Sequence, residues 1–350
     1  YALNLKGDAP AQGKMDISVV NIEENAGQVP VNYVLPPGVT RIIDPGQSQI
    51  TQLNEQAMSL KVTDLQSGDA RAVYKNSGMD MRTYKRLQMF VHAEKLIDDK
   101  TNLRDGDVSV FLRLGSDSKS NYYEYEVPLS LTEPGNYSTY NAQDQEAVWP
   151  QSNMFDFPLS LFTDLKLERN AKKRMDNSTV TFQTRYSSYD PDKNQNKVTI
   201  VGNPSLSDVR TMMIGVRNNS NAAKDIVVWV NEMRLTDFDQ SGGWAAKANV
   251  NLGLSDIATL NIAGHVETVG FGGIDQSLTE RRLDDYYQYN IATMVELGRF
   301  LPEKVKLKAP LFYSITEQRT SPKYNPLDQD ILLKDALDNA GSKAERDSIS

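Results

Sequence analysis

At 350 residues the chain is long enough for two domains of roughly 150 residues each, and with 39% hydrophobic and 24% charged residues it has the composition of a folded protein rather than a disordered one. A net charge of −8 without a long basic run argues against nucleic acid as the main partner. The absence of cysteine excludes disulfides and thiolate chemistry, and no apolar run approaches the ~18 residues of a membrane-spanning helix, though membrane strands, which alternate, stay open.

The N-terminal YALNLKGDAP has neither the basic nor the apolar region of a signal peptide, and the charged KAERDSIS at the other end reads as the middle of a segment. The chain is therefore expected to be an excerpt of a longer one. Residues 1–51 are rich in Gly, Pro and Asn. Pro30, Pro36, Pro37 and Gly38 exclude a helix and predict an extended connector, with one short strand over Lys14–Ile22.

Residues 52–239 predict strands at 57–65, 69–76, 84–96, 107–115, 121–131, 196–202, 210–218 and 225–238. They are bounded by turn signals such as QSGD, RDGD and DPDKNQN. Val108, Val110, Leu112 and Leu114 alternate with Ser109, Phe111 and Arg113. One segment breaks the pattern: PLSLFTDLKLERNAKKR opens on Pro158 and spaces Leu161, Leu165 and Arg169 as one helix face. Eight short strands and one helix predict a mostly β fold, a jelly-roll-like sandwich.

Beyond Phe238 the strands lengthen. Trp244–Leu254 alternates Val250, Leu252 and Leu254 with Lys247, Asn249 and Asn251. Thr259–Val269 sets Leu260 and Ile262 against Asn261, His265 and Glu267. Residues 286–298 set Tyr289, Ile291, Val295 and Leu297 against Gln288, Asn290 and Glu296, and residues 304–316 set Leu307 and Leu311 against Lys306 and Lys308. Pro310 would leave one ladder bond unmade in that last strand.

Two readings fit this alternation: a soluble sheet, or membrane strands with one face on lipid and one on water. Eleven residues at a rise of roughly 3.3 Å give about 36 Å, which at a tilt of ~45° spans about 25 Å, the height of an outer-membrane apolar band. Trp244, Phe271, Tyr286, Tyr287, Phe300 and Tyr313 sit at strand ends, as interfacial aromatics do. The short connections 255–258 and 298–304 alternate with long ones, as turns and outer loops of such barrels do. That would put residues 52–239 on the extracellular side. Four strands cannot close a barrel, so further strands are expected from outside this sequence.

Chemistry-bearing motifs are scarce. His92 lies within a strand pattern and His265 on a polar strand face, and two distant histidines without cysteine do not make a zinc site. Asp190, Asp192 and Asn194 alternate oxygen ligands like the start of a calcium loop, but without its glycine and closing glutamate, so a hairpin turn and a calcium site both remain open. In NYYEYEV, Tyr123 and Tyr125 share one face and Tyr122 the other, which allows core packing or a sugar-stacking platform. No phosphate-binding or nucleophile motif occurs in a usable context.

The segments QLNEQAMSLKV, GDARAVYKN, YKRLQMFVHAE, NPSLSDVRTMMIGVRN, VWVNEMRLTDFDQSGGWAAKANV, GFGGIDQSLTERR and YQYNIATMVELGRFLPEK closely resemble the SprA/Sov family over about residues 28–335. These are outer-membrane translocons of the type IX secretion system, linked to gliding motility. The resemblance implies a single wide barrel that passes folded cargo proteins to the cell surface. It also implies a PorV-type small outer-membrane barrel and a periplasmic plug as partners, and no enzymatic activity or cofactor. On it, residues 240–350 supply barrel strands. Trp244, Val250, Leu252, Leu254, Leu260, Ile262, Tyr289, Ile291, Val295, Leu297, Leu307 and Leu311 would face outer-membrane lipid. Lys247, Asn249, Asn251, His265, Glu267, Asn290 and Glu296 would face the lumen. The competing expectations are a soluble carbohydrate-binding sandwich and a surface glycosidase fragment.

Overall fold

The computed structural model describes residues 2–4, 13–43, 52–277 and 280–349. The chain divides into two compact units, Tyr1–Phe238 and Asp239–Ser350. In chain order the first unit holds β1 (Ala2–Asn4), β2 (Lys14–Asn21), β3 (Gln56–Leu65), β4 (Ala70–Met79), β5 (Tyr84–Glu94), β6 (Val108–Gly115) and β7 (Tyr122–Pro128). After these come α1 (Ala142–Val148), β8 (Phe155–Pro158), α2 (Ser160–Lys173), β9 (Tyr186–Tyr189), β10 (Lys197–Val201), β11 (Val209–Asn218) and β12 (Lys224–Phe238).

The strands form two antiparallel sheets, in the orders β1-β4-β11-β6-β7-β10-β9 and β2-β3-β12-β5-β8. Period-two alternation sends one set of side chains from each sheet into a shared core. Val110, Leu112, Leu114, Tyr123, Tyr125, Val198 and Ile200 come from the first sheet, and Leu60, Val62, Leu87, Met89, Val91, Phe155, Phe157, Ile226 and Val228 from the second. Every strand expected between 52 and 239 is present. The alternation did not reveal β8 and β9, which are only four residues each, or the seven-residue α1. The expected helix is α2, and it buries Phe162, Leu165, Lys166 and Arg169. Its Lys166 ammonium donates to the Pro204 carbonyl at 2.7 Å and Arg169 donates to the Gly202 carbonyl, so two buried cations tie the helix to the loop after β10.

The described part of residues 1–51 carries the expected short strand and then packs against the second sheet. Lys14–Asn21 is β2, paired along its length with β3, and the prolyl segment after it covers the outer face of the second sheet. Val31, Tyr33 and Val34 are fully buried there with Trp149 and Trp229. The cover is fastened to the segments on both sides of α1. Trp149 Nε1 donates to the Val34 carbonyl at 2.9 Å, and Asn32 exchanges hydrogen bonds with the Tyr137 backbone at 2.8 and 2.6 Å. The prolines do keep helix out, but Trp229 on the sheet surface needs an apolar cover, completed by Trp149 at the end of α1, which no local pattern announces.

Strand β7 serves two layers at once. Its tyrosines point inward: Tyr125 stacks on Phe157 of the opposite sheet with ring centroids 3.9 Å apart, and Tyr123 stacks on Phe162 of α2 at 4.9 Å. Its glutamates point outward yet are buried. Glu124 accepts from Arg113 and Arg185 at 2.5 Å each and from Arg217 at 3.1 Å. Glu126 accepts from Arg217 and from the Ser109 hydroxyl. Phe111 lies beneath both Arg113 and Arg217, and Gly215 leaves the space its ring fills.

The second unit holds β13 (Ala245–Leu254), β14 (Ala258–Glu267), β15 (Asp284–Glu296) and β16 (Pro310–Pro322). A small hairpin of β17 (Tyr324–Asn325) and β18 (Asp328–Leu332) follows, then α3 (Leu333–Asp338) and α4 (Lys343–Ile349). The fourth long strand is displaced from its expected span of 304–316. Residues 297–300 and 303–305 form 3-10 turns, and pairing begins only at Pro310. Gly298 and Pro302 favour the turns, and Pro310, which cannot donate a ladder bond, marks the start of the strand rather than its interior.

Burial alone would push the Glu124 carboxyl up, but Arg217, Arg113 and Arg185 outweigh it and hold the carboxyl below the ordinary glutamate range. A lowered native value contributes stability that is complete above the unfolded value of about 4.3 and is lost as pH falls through the native one. Glu124→Gln is therefore expected to cost about 3–5 kcal/mol at pH 7 and progressively less as the pH falls below about 4.3, measured by urea denaturation along that range.

Candidate functional site

The four long strands of the second unit pair as a meander, β13-β14-β15-β16, all antiparallel. None of the three interfaces contains a register shift. Residues directly opposite in a ladder point to the same side, so an unbroken register carries the alternation of one strand across all four.

On one face Leu254, Ala258, Val295 and Leu311 form a row, followed by Leu252, Leu260, Thr293 and Tyr313, then Val250, Ile262, Ile291 and Ile315. The next two rows bring Tyr289 beside Glu317 and Tyr287 beside Arg319, and the Tyr289 hydroxyl donates to Glu317. On the other face Asn249, Ala263, Asn290 and Thr316 form a row, and Lys247, His265, Gln288 and Gln318 the next. Asn290 Nδ2 donates to the Thr316 hydroxyl at 2.6 Å, and His265 Nε2 lies 3.0 Å from Glu267, which also pairs with Arg282.

The apolar face has no second layer. Val250 and Leu252 are each 47% exposed, Leu311 52% and Tyr313 55%, and among the described residues none of the sheet belongs to a hydrophobic core cluster. Among the described residues β13 and β16 each pair on one side only, which leaves the sheet open.

Val250, Leu252, Leu254, Leu260, Ile262, Tyr289, Ile291, Val295 and Leu311 thus share the apolar face. Lys247, Asn249, Asn251, His265, Glu267, Asn290 and Glu296 share the opposite one. Three of the expected residues lie off the strands. Trp244 precedes β13, where its backbone exchanges hydrogen bonds with Thr268. Leu297 opens a 3-10 turn, and Leu307 lies in the connection before β16. The strand shift also lengthens that connection to residues 297–309. The contrast of short and long loops then rests on the turn at 255–257 alone, and the expected orientation loses its support. Sequence reasoning stopped β16 at Thr316 and so missed Gln318 and Thr320. The signal there is faint because Glu317 and Arg319 make both faces polar.

The other candidate chemistry resolves locally. Asp190, Asp192 and Asn194 lie in the β9–β10 hairpin turn. There the Asp190 carboxylate accepts from the Tyr125 hydroxyl at 2.6 Å and from the Asp192 amide at 2.9 Å. Among the described residues no three metal-ligating side chains converge. Tyr123 and Tyr125 are buried in the core, and Tyr122 lies beneath the Arg113 guanidinium at 4.1 Å, so none offers a face to a sugar. His92 is buried and stacked on Trp229 with centroids 3.9 Å apart. Among the described residues no helix is long and apolar enough to cross a membrane.

A protein-family model, SprA_N, described as motility related/secretion protein, matches residues 1–337. No curated protein matches the chain.

Glu296 does more than decorate the polar face: its carboxylate accepts from the Ala309 amide at 2.6 Å and the Gly298 amide at 3.3 Å, closing the 297–309 connection. Glu296→Ala is expected to raise hydrogen exchange at the Gly298 and Ala309 amides about tenfold while leaving β13–β14 amides unchanged, as read by NMR.

Proposed function

The chain belongs to this SprA_N family of motility-related and secretion proteins, and from that membership we propose that it forms part of the outer-membrane protein-conducting channel of the type IX secretion system. The observation that carries the proposal is the in-register, two-faced sheet with no layer over its apolar side. A contiguous exposed apolar face of this kind is unfavourable in water and natural in lipid. Ten paired residues at ~3.4 Å give about 34 Å, which at a ~45° tilt crosses about 24 Å of hydrocarbon.

In this reading β13–β16 are four strands of a larger wall. Hydrocarbon supplies no hydrogen-bond partners, so every wall strand must be paired on both sides, and the free edges of β13 and β16 are where further strands join. The apolar face meets lipid. The opposite face, lined by Asn249, Asn251, Asn290, Thr316 and Gln318, meets water and gives passing cargo mostly polar groups, with Met294 and Phe312 its exposed apolar side chains near one end. The first unit acts as a rim or cap. Its strand order supports a jelly roll: β3-β12-β5-β8 opposite β4-β11-β6-β7, with β10 and β9 added beyond β7. The work is mechanical rather than chemical, and a PorV-type small barrel and a periplasmic plug protein are the partners the proposal requires.

These 350 residues contain no cysteine, so an introduced thiol is the only one among them. Leu252→Cys and Asn251→Cys are neighbours on opposite faces. In native membranes, Cys at 252 is expected to react only with a lipid-soluble maleimide and Cys at 251 only with a membrane-impermeant one. Equal aqueous labelling of both would return the strand to a soluble sheet and end the proposal.

A further inference from the structure

The connection 297–309 between β15 and β16 is held in place by its own backbone. Leu297 donates its amide to the Ala309 carbonyl at 2.9 Å, Leu301 to Gly298 at 3.2 Å and Val305 to Pro302 at 2.9 Å. A β-carbon at Gly298 would collide with the Leu307 carbonyl oxygen, so the two limbs of the loop meet where only glycine fits. The Arg299 guanidinium pairs with Asp256 at 2.9 Å, which ties the loop to the β13–β14 turn at the same end of the sheet.

What the loop displays is mixed in a particular way. Phe300 is 67% exposed, and Leu301, Val305 and Leu307 lie between 42% and 54%. Lys304, Lys306 and Lys308 alternate with Val305 and Leu307, all three are exposed, and among the described residues none of them forms an ion pair. The loop carries four cations against the single carboxylate of Glu303, a net +3 in a chain whose total is −8. At the other end of the sheet the connection 268–283 balances Asp275 and Glu280 against Arg281 and Arg282, and Arg282 is held by Glu267 and Asp284.

Lysines alternating with exposed aliphatic side chains, beside an aromatic, suit the boundary between hydrocarbon and an anionic surface. The apolar side chains enter the boundary, while each lysine lays its stem along them and lifts its ammonium towards phosphate. An acidic protein segment would match the lysines but leave the four apolar side chains without a partner. The loop also borders the last aliphatic row, Leu254, Val295 and Leu311, so it continues the apolar face at the level where hydrocarbon ends.

We infer that the 297–309 loop is a contact site for anionic phospholipid headgroups, with Lys304, Lys306 and Lys308 taking the phosphates and Phe300, Val305 and Leu307 set at the hydrocarbon boundary. The inference rests on the channel reading and adds to it a lipid class and the end of the sheet that meets it.

The test is fluorescence quenching in phosphatidylcholine vesicles doped with brominated lipid. The full protein carries a bimane on Leu307→Cys or, as a control on the sheet itself, on Leu252→Cys. The label at position 252 is expected to be quenched alike by brominated phosphatidylcholine and brominated phosphatidylglycerol. The label at position 307 is expected to be quenched at about threefold lower content of the brominated phosphatidylglycerol than of the brominated phosphatidylcholine. Lys304→Gln, Lys306→Gln and Lys308→Gln together are expected to erase that preference while quenching at 252 stays unchanged. Quenching at 252 with none at 307, with no preference between the lipids at 307, or with a preference that survives the triple substitution, overturns the inference and leaves the channel reading standing. No quenching at 252 ends both. Displacement of brominated phosphatidylglycerol more readily by lipopolysaccharide than by unlabelled phosphatidylglycerol overturns the assignment to phospholipid.

Discussion

Side chains on a strand alternate with a period of two, so a one-residue slip in pairing exchanges the faces of everything beyond it. The long sheet of the second unit has two chemically different faces only because its three ladders run without a slip. The rows from Leu254 to Leu311 and from Asn249 to Thr316 exist by virtue of that register and nothing else. In the first unit the constraint is looser. β12 shifts register against both β3 and β5, and Glu232 and Asp237 take left-handed backbone angles along it. There the first half of β12 is covered on both faces, by the shared core and by the Trp149–Trp229 cluster, and the shift against β5 falls where the strand leaves that cover.

Strand β7 shows how that covered architecture handles charge. Its alternation of Tyr and Glu puts aromatics into the core and Glu124 beneath three guanidiniums, and the tyrosines and glutamates alike are removed from water. The tyrosines supply apolar area and stacking. The glutamates add little net stability once their desolvation is counted, but losing one would strand its arginines. The same strand therefore joins sheet to sheet on one side and strand to strand on the other. This makes the sandwich a scaffold able to hold surface features at fixed positions.

Much of this was legible in the sequence because alternation is a direct record of burial. Val108 to Leu114, and Trp244 to Leu254, declare their inward or apolar faces residue by residue. What stayed hidden was structure whose cause is tertiary. Phe155 and Phe157 make too short a run to show a period, yet they fill the space opposite Tyr125. Val31 and Tyr33 sit among prolines and read as linker, and only the tryptophans they cover, more than a hundred residues away, give them a role. The start of β16 was misjudged because Val305 and Leu307 continue the alternation by coincidence, while Glu296 draws the Ala309 amide into a turn.

The two ends of the apolar face differ. At one end it runs out in Leu254, Val295 and Leu311. At the other it passes through Tyr289 and Tyr287 into Glu317 and Arg319. In a bilayer such a face would have a waterline: the aliphatic rows set how deep the sheet can sink, and the tyrosine–charge rows set where it must stop. Vertical placement would then be written into one strand pair, β15 with β16, so that strands joining the free edge of β16 would inherit their depth from it rather than from the lipid.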